Sequence, residues 1–177
     1  MDRPSGKDKP LFTPGPLTTS ATVKEAMLSD LGSRDTAFVQ AVAEIRMGLL
    51  RLAGVSKEEG WESVLMQGSG TFSVESVLSS SIPKDGALLV ARNGAYGERI
   101  ATIARCHGIP VHEVICGEGE PVEPAAVEAA LDAHPEVTHL AIVHCETTSG
   151  VLNPVEAVGE LAAARGVTYF VDSMSAF

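Results

Sequence analysis

The sequence predicts an α/β fold: a mostly parallel sheet sandwiched by helices. Three observations predict it. Short apolar runs of strand length recur along the chain at Ala87–Val90, Val111–Ile115, His139–Val143 and Thr168–Val171. Stretches of helical length and composition separate them, at Tyr96–His107, Pro124–Ala133 and Pro154–Arg165. The connections are short, and a strand that must return to a parallel neighbour does so through such a crossover helix.

Taken in order, Met1 to Pro10 places Arg3, Lys7, Asp8 and Lys9 among Pro and Gly and reads as a flexible tail, so the folded domain is expected over 11–177. Thr13-Pro14-Gly15-Pro16 is an extended, turning segment, because two prolines fix φ and lack donors. Thr19 or Ser20 is placed to cap a short helix running to Leu28. From about Thr36 to Ala53 the apolar residues Phe38, Val42, Ile45, Leu49 and Leu52 recur at three and four, the helical period, and Gly54 is placed to stop that helix. A further apolar run, Ser63–Met66, reads as a first strand, followed by a helix over Phe72–Ser80. In the alternating part, Pro124 and Pro154 suit first helical turns, while Gly108 and Gly166 suit helix ends before strands.

Composition narrows the function. With 45% hydrophobic and 20% charged residues the chain is an ordinary globular one. Its 23 acids against 13 bases give a net charge of -10, which repels phosphate backbones and disfavours nucleic acid as a partner. No apolar run reaches membrane-spanning length, no secretory leader pattern opens the chain, and the expected location is the cytoplasm. Cys106, Cys116 and Cys145 form no CxxC pair and read as reduced thiols. His107, His112 and Cys116, or His139, His144 and Cys145, match no compact zinc spacing, so no metal is expected.

Ligands of open α/β sheets sit at the carboxyl ends of the strands, and four strings fall there. Gln67-Gly68-Ser69-Gly70-Thr71 offers glycines for close backbone approach, a helix start for an anion, and hydroxyls at Ser69 and Thr71. It reads equally as a tight turn with a Ser/Thr cap. A dinucleotide fingerprint would need a third glycine where Ser73 stands, and an acid at the end of the next strand, which reads Val90-Ala91-Arg92-Asn93. No Gly-Lys-Ser/Thr follows, so a single phosphate suits the loop better than a pyrophosphate. In Asn93-Gly94-Ala95-Tyr96-Gly97, Tyr96 is placed either to lie on a cofactor ring or simply to cap the core. In His144-Cys145-Glu146-Thr147-Thr148-Ser149-Gly150, Thr147 is a candidate donor to a ring oxygen and Glu146 a structural acid; local capping is the plainer reading. Asp172 ends the strand Tyr169-Phe170-Val171, where a carboxylate is costly unless it meets a cation or several donors; a protonated pyridine nitrogen would be one such partner, an N-cap or salt bridge another.

These four strings, with Thr13-Pro14-Gly15-Pro16, resemble the class V aminotransferases of pyridoxal-phosphate fold type I, from about Leu11 to Phe177. Phosphoserine aminotransferases and cysteine desulfurases share that fold but differ in the strings. Alanine–glyoxylate aminotransferases carry Trp where Tyr96 stands and Ser where Thr147 stands. Leu17-Thr18-Thr19-Ser20 through Val23-Lys24-Glu25-Ala26-Met27-Leu28, and Leu152-Asn153-Pro154, are most similar to the 2-aminoethylphosphonate–pyruvate branch.

The resemblance implies the N-terminal part of a cofactor-binding large domain. Ser69, Gly70 and Thr71 would hold the phosphate of pyridoxal 5'-phosphate. Tyr96 would stack on the ring, Thr147 contact its hydroxyl, and Asp172 pair with its nitrogen as a catalytic group. Pro14, Gly15 and Pro16 would line the substrate pocket. The partners implied are a small-molecule amino donor and a 2-oxo acid, in a homodimer when full length, with a role in phosphonate catabolism. The family's Schiff-base lysine and acid-binding arginine would lie beyond Phe177, since Lys7, Lys9, Lys24, Lys57 and Lys84 all precede Asp172; the chain as given is then expected not to transaminate alone. The readings set beside this one are an alanine- or serine–glyoxylate-type transaminase and a non-catalytic α/β module that binds a phosphorylated ligand.

Overall fold

The structure is a computed structural model that describes residues 10–13 and 15–176. It divides into two compact units, Met1–Gln67 and Gly68–Phe177. Most of the expected tail, Met1 to Lys9, and Pro14 lie outside the described residues.

Among its described residues the first unit holds two helices, α1 (Ala21–Ala26) and α2 (Thr36–Leu52). Ser20 caps α1, its Oγ accepting from the Val23 N–H at 3.3 Å. Ala53 caps the end of α2, and Gly54 takes the left-handed conformation (φ 71°) that glycine adopts without steric cost. Its apolar stripe is not buried: Phe38, Val39, Ile45 and Leu52 are all exposed. The strand expected at Ser63–Met66 does not form among the described residues. The Ser63 carbonyl accepts instead from Arg46 Nε at 2.8 Å, and Arg46 also pairs with Glu62 at 2.7 Å. An apolar run becomes a strand only by pairing its backbone with a neighbour, and this run has no ladder here.

The second unit is α3 (Gly70–Ser81), β1 (Ala87–Arg92), α4 (Ala95–Cys106), β2 (Val111–Ile115), α5 (Pro124–Ala133), β3 (Val137–Val143), β4 (Cys145–Glu146), β5 (Val151–Leu152), α6 (Val155–Ala164) and β6 (Thr168–Asp172). Four strands form one sheet in the order β2-β1-β3-β6, parallel throughout. Both faces are covered, which explains the near-continuous apolar runs. Leu89, Ala91, Leu140 and Ile142 pack with Val127 and Leu131 of α5 and Val158 and Ala162 of α6. Leu88, Val90, Ala141 and Val143 turn the other way, toward Leu78 of α3 and Ile100, Ala101 and Ala104 of α4. Gly108 (φ 72°) and Gly166 (φ 65°) end α4 and α6 as expected. Pro154 stands one residue earlier than expected, as the cap of α6 rather than inside it.

Two features depart from the simple alternation. β4 and β5 pair as a short antiparallel hairpin, too brief to show a period in sequence. And β6 is an edge strand, bonded among the described residues only to β3, with Val171 38% exposed. From β1 the chain moves outward to β2, then crosses back to place β3 on the other side of β1. The carboxyl ends of β1 and β3 therefore flank a topological switch point, the place where such sheets take ligands.

Candidate active site

The sequence motifs meet at this carboxyl rim. Gly68 (φ 142°) makes the turn into α3; a Cβ there would stand 2.8 Å from the Phe72 ring. Ser69 caps α3, its Oγ accepting from the Phe72 N–H at 3.2 Å, so the capping role weighed for this loop is realised. Gly70 is the first helical residue, and a Cβ on it would come 2.7 Å from Met174 Cε. The helix start leaves its first N–H groups without carbonyl partners within the helix, a setting that favours anions. Thr71 Oγ1 accepts from Arg99 Nη1 at 3.2 Å.

Gly94 opens α4 with an extended backbone, and its need for glycine is one of space: a Cβ would fall 2.3 Å from Glu146 Cγ. Glu146 is fully buried. Its carboxylate accepts from the N–H groups of Tyr96 (3.2 Å) and Gly97 (3.4 Å) and from the Thr148 hydroxyl (2.9 Å). A carboxylate at the start of a helix meets both unsatisfied N–H groups and the positive end of the helix dipole. Glu146 thereby joins the loop after β3 to Tyr96. The half-buried Tyr96 ring carries the Arg99 guanidinium 4.8 Å from its centroid.

Thr147 Oγ1 lies 2.6 Å from Ser175 Oγ, which ties the loop after β3 to the segment after β6. His144 adds to the tie: its N–H donates to the Asp172 carbonyl at 2.8 Å, and Nδ1 lies 3.3 Å from Ser173 Oγ. Asp172 closes β6, opposite Val143 in register. Because β6 is an edge strand, its carboxylate is half-buried rather than enclosed as the sequence suggested, and Oδ1 accepts from the Met174 N–H at 3.0 Å. Asp172 and Gly70 border one cavity of about 240 Å³, with Ser73 and Ser173 on a wall that is otherwise mostly apolar, including Val74, Leu78, Ile100 and Phe170.

Of the residues expected at a site, Ser69, Gly70, Thr71, Tyr96, Thr147 and Asp172 all belong to this unit and stand at this rim. Gly15 and Pro16 belong to the first unit and are exposed; Pro14 is outside the described residues. Sequence reasoning missed the pair Asn93 and Asn153. Both are buried, and they exchange amide hydrogen bonds at 3.0 Å each way. Asn153 also donates to the Val143 carbonyl and accepts from the Val122 N–H, while Asn93 donates to the Glu120 carbonyl. This network holds the ends of β1 and β3 together behind the motifs. Their one signal was an asparagine just past each strand or hairpin.

At the opposite, amino end of the sheet the fold gathers His112, His134 and Glu136, although their spacing gave no sign of it. Glu136 Oε1 bonds His112 Nε2 at 2.9 Å and His134 Nδ1 at 3.3 Å, and the two rings stack. On β2, burial works against the charge of Glu113, but hydrogen bonds and charge from Arg92 and Arg105 outweigh it and hold the carboxyl below its usual range.

With this geometry in place, comparison with known proteins decides the family. The model of the class V aminotransferases matches residues 19–177. The chain belongs to the class V aminotransferase family. It is 52% identical over 176 residues to the 2-aminoethylphosphonate–pyruvate transaminase of Aeromonas hydrophila, matching 98% of this chain and 46% of that protein. The enzyme of the same name from Bacillus cytotoxicus is 52% identical over 94% of this chain and 46% of its own length. The chain thus spans just under half the length of these relatives. Among solved structures it resembles pyridoxamine–pyruvate aminotransferase from Mesorhizobium loti, with TM-score 0.84 and 27% identity over 100% of this chain and 45% of that one. It also resembles alanine–glyoxylate aminotransferase from Nostoc sp., with TM-score 0.81 and 28% identity over 98% and 45%. The parallel sheet between helices is the fold of this class V family.

Proposed function

We propose that this protein moves the amino group of 2-aminoethylphosphonate to pyruvate, giving phosphonoacetaldehyde and alanine, with pyridoxal 5'-phosphate as cofactor. The observation that carries the cofactor reading is the cavity shared by Gly70 and Asp172. Gly70 brings the start of α3 to that space and Asp172 brings a carboxylate, groups suited to a phosphate and to a protonated ring nitrogen; the Ser69 and Thr71 hydroxyls flank Gly70 outside a wall made mostly by Val74, Val77, Leu78, Ile100 and Phe170. A Cβ on Gly70 would meet the tip of the exposed Met174 side chain, which borders the same space. The start of α3 and the Asp172 carboxylate, on one cavity, are compatible with the two ends of the group.

When bound, pyridoxal phosphate supplies an electron sink that lets an amino group pass between an amine and a 2-oxo acid. Ser69, Gly70 and Thr71 would hold the phosphate. Tyr96 would stack on the ring, and Thr147 would donate to its hydroxyl. Asp172 would keep the ring nitrogen protonated; it is the one catalytic group assigned to this chain. Pro14, Gly15 and Pro16 are assigned to the substrate pocket on family resemblance. Lys57 pairs with Glu62 at 3.2 Å, and none of the chain's lysines follows β6. The amine that links covalently to the cofactor is accordingly assigned outside residues 1–177, and these residues alone are expected not to transaminate.

The phosphonate donor is supported by relatives 48–52% identical that bear this name. Transfer to glyoxylate is the second reading, favoured by likeness to the Nostoc structure. We further place residues 11–177 in the cofactor-binding large domain of a cytoplasmic homodimer. No helix among the described residues is long and apolar enough to cross a membrane, and the exposed stripe of α2 offers apolar surface to a second subunit.

The test uses the native protein with 2-aminoethylphosphonate and pyruvate, and separately with alanine and glyoxylate. Phosphonoacetaldehyde is the expected product. Its absence alongside good turnover of alanine and glyoxylate would transfer the assignment to the second reading. Asp172→Ala is expected to remove most activity while far-UV circular dichroism stays unchanged; near-normal turnover would strip Asp172 of its role.

A further inference from the structure

We propose that Arg99 is a positioning residue for the phosphate end of the cofactor, a role that rests on the reading above. Its guanidinium touches two of the groups assigned to that cofactor, donating to Thr71 Oγ1 at 3.2 Å and lying 4.8 Å from the centroid of the Tyr96 ring. The second contact follows from the helix: Tyr96 and Arg99 stand three residues apart on α4, where side chains meet, and a guanidinium over an aromatic face is attractive. The first contact spans from α4 to the start of α3.

Each contact has a consequence. A hydroxyl that accepts from Arg99 on its oxygen has its own hydrogen left to donate elsewhere. For Thr71, in the first turn of α3, the acceptor that such a site receives is the anion. Arg99 thus orients the Thr71 hydroxyl as a donor before any ligand arrives. The Tyr96 ring in turn holds the guanidinium beside Thr71. Arg99 also sets a permanent positive charge beside the helix start in a chain whose net charge is -10, offsetting the general repulsion of a phosphate dianion. Glu146 completes the arrangement from behind, holding the Tyr96 backbone while Arg99 holds its ring. Lysine would keep the charge but would lose the planar group that can stack and donate at once.

The deciding experiment compares two ligands that differ only at the end Arg99 serves. The cofactor-free native protein is titrated with pyridoxal phosphate and with pyridoxal, which lacks the phosphate. Arg99→Gln is expected to weaken pyridoxal phosphate by roughly tenfold, the scale of one charge-assisted hydrogen bond after allowance for solvent exposure, and to change pyridoxal by less than about twofold. Arg99→Lys is expected between the two, and it keeps the test open should the glutamine variant fold poorly. Thr71→Val is expected to weaken pyridoxal phosphate as well, and adding it to Arg99→Gln to cost clearly less than the product of the two single effects, because the arginine acts through that hydroxyl. Equal losses for both ligands, an unchanged affinity for pyridoxal phosphate, or multiplicative effects in the double variant would each overturn the proposal. Failure of the unaltered protein to bind either ligand would instead remove the cofactor reading itself.

Discussion

Gly94 offers the sharpest steric test of the site. Its backbone is extended, a conformation any residue adopts, so replacing it carries no dihedral strain. The cost is space. An alanine Cβ would stand 2.3 Å from Glu146 Cγ and 2.5 Å from Cδ. Ordinary contact needs at least about 3.5 Å, so one partner must move by more than 1 Å. Glu146 is fully buried and bonded to Tyr96, Gly97 and Thr148, so moving it stretches those bonds together. Overpacking costs about 1–3 kcal/mol and the loss of one hydrogen bond to a charged group about 1.5–3 kcal/mol. Gly94→Ala is therefore expected to destabilise by about 3–5 kcal/mol in urea denaturation of the native protein.

Two companions isolate the cause. Gly117→Ala also brings a Cβ close to a glutamate, Glu120 Oε2 at 2.8 Å, but that atom ends an exposed side chain and can swing away at the cost of one long, solvent-exposed bond from the Gly117 N–H at 3.3 Å. It is expected to cost under about 0.5 kcal/mol. Glu146→Ala removes the obstacle, so Gly94→Ala in that background is expected to add little to the cost of Glu146→Ala alone. A neutral Gly94→Ala, or a double variant whose cost is the plain sum of its parts, would show that Glu146 is not packed where the argument requires.

Two further outcomes follow from buried polar groups. Asn153→Ala removes the partner of the Asn93 amide oxygen, the Val122 N–H and the Val143 carbonyl, and is expected to lower stability by about 2–4 kcal/mol in the same assay. Burial lowers the pKa of His139, against a smaller opposing hydrogen bond from Ser81, and its ring stacks on Phe170. The unfolded chain then takes up this proton at higher pH than the folded one, so stability is full above the ordinary histidine pKa and falls as pH drops below it. Thermal denaturation across that window should show the decline, with a shallower slope in His139→Gln; parallel slopes would deny His139 the effect.

How much of this was legible in sequence depends on where the hydrogen bonds go. The parallel sheet was legible because burial on both faces writes itself as unbroken runs such as Leu88-Leu89-Val90-Ala91, and because Gly108 and Gly166 mark helix ends by a conformation few other residues tolerate. The rim was legible too, since parallel strands bring all their carboxyl ends to one side. Ser63–Met66 misled because an apolar run carries no record of whether a neighbour will pair with it. β4 and β5 were invisible because a ladder of two residues has no period.

The deeper omission concerns what spaces the motifs. Ser69, Tyr96, Thr147 and Asp172 announce themselves by lying just past strands, yet nothing local states how far apart they will stand. That spacing comes from side chains reaching across the fold: Asn93 to Asn153, sixty positions away, Glu146 to the start of α4, fifty away, and Thr147 to Ser175, twenty-eight away. Asparagine and glutamate in loops are ordinary on the surface, and only burial makes them expensive enough to demand such partners. An exposed loop would satisfy them with water and leave the motif distances free. Here Glu146 and Asn153 are buried behind the rim, so the polar groups that touch no ligand are the ones that set where the ligand-facing groups stand.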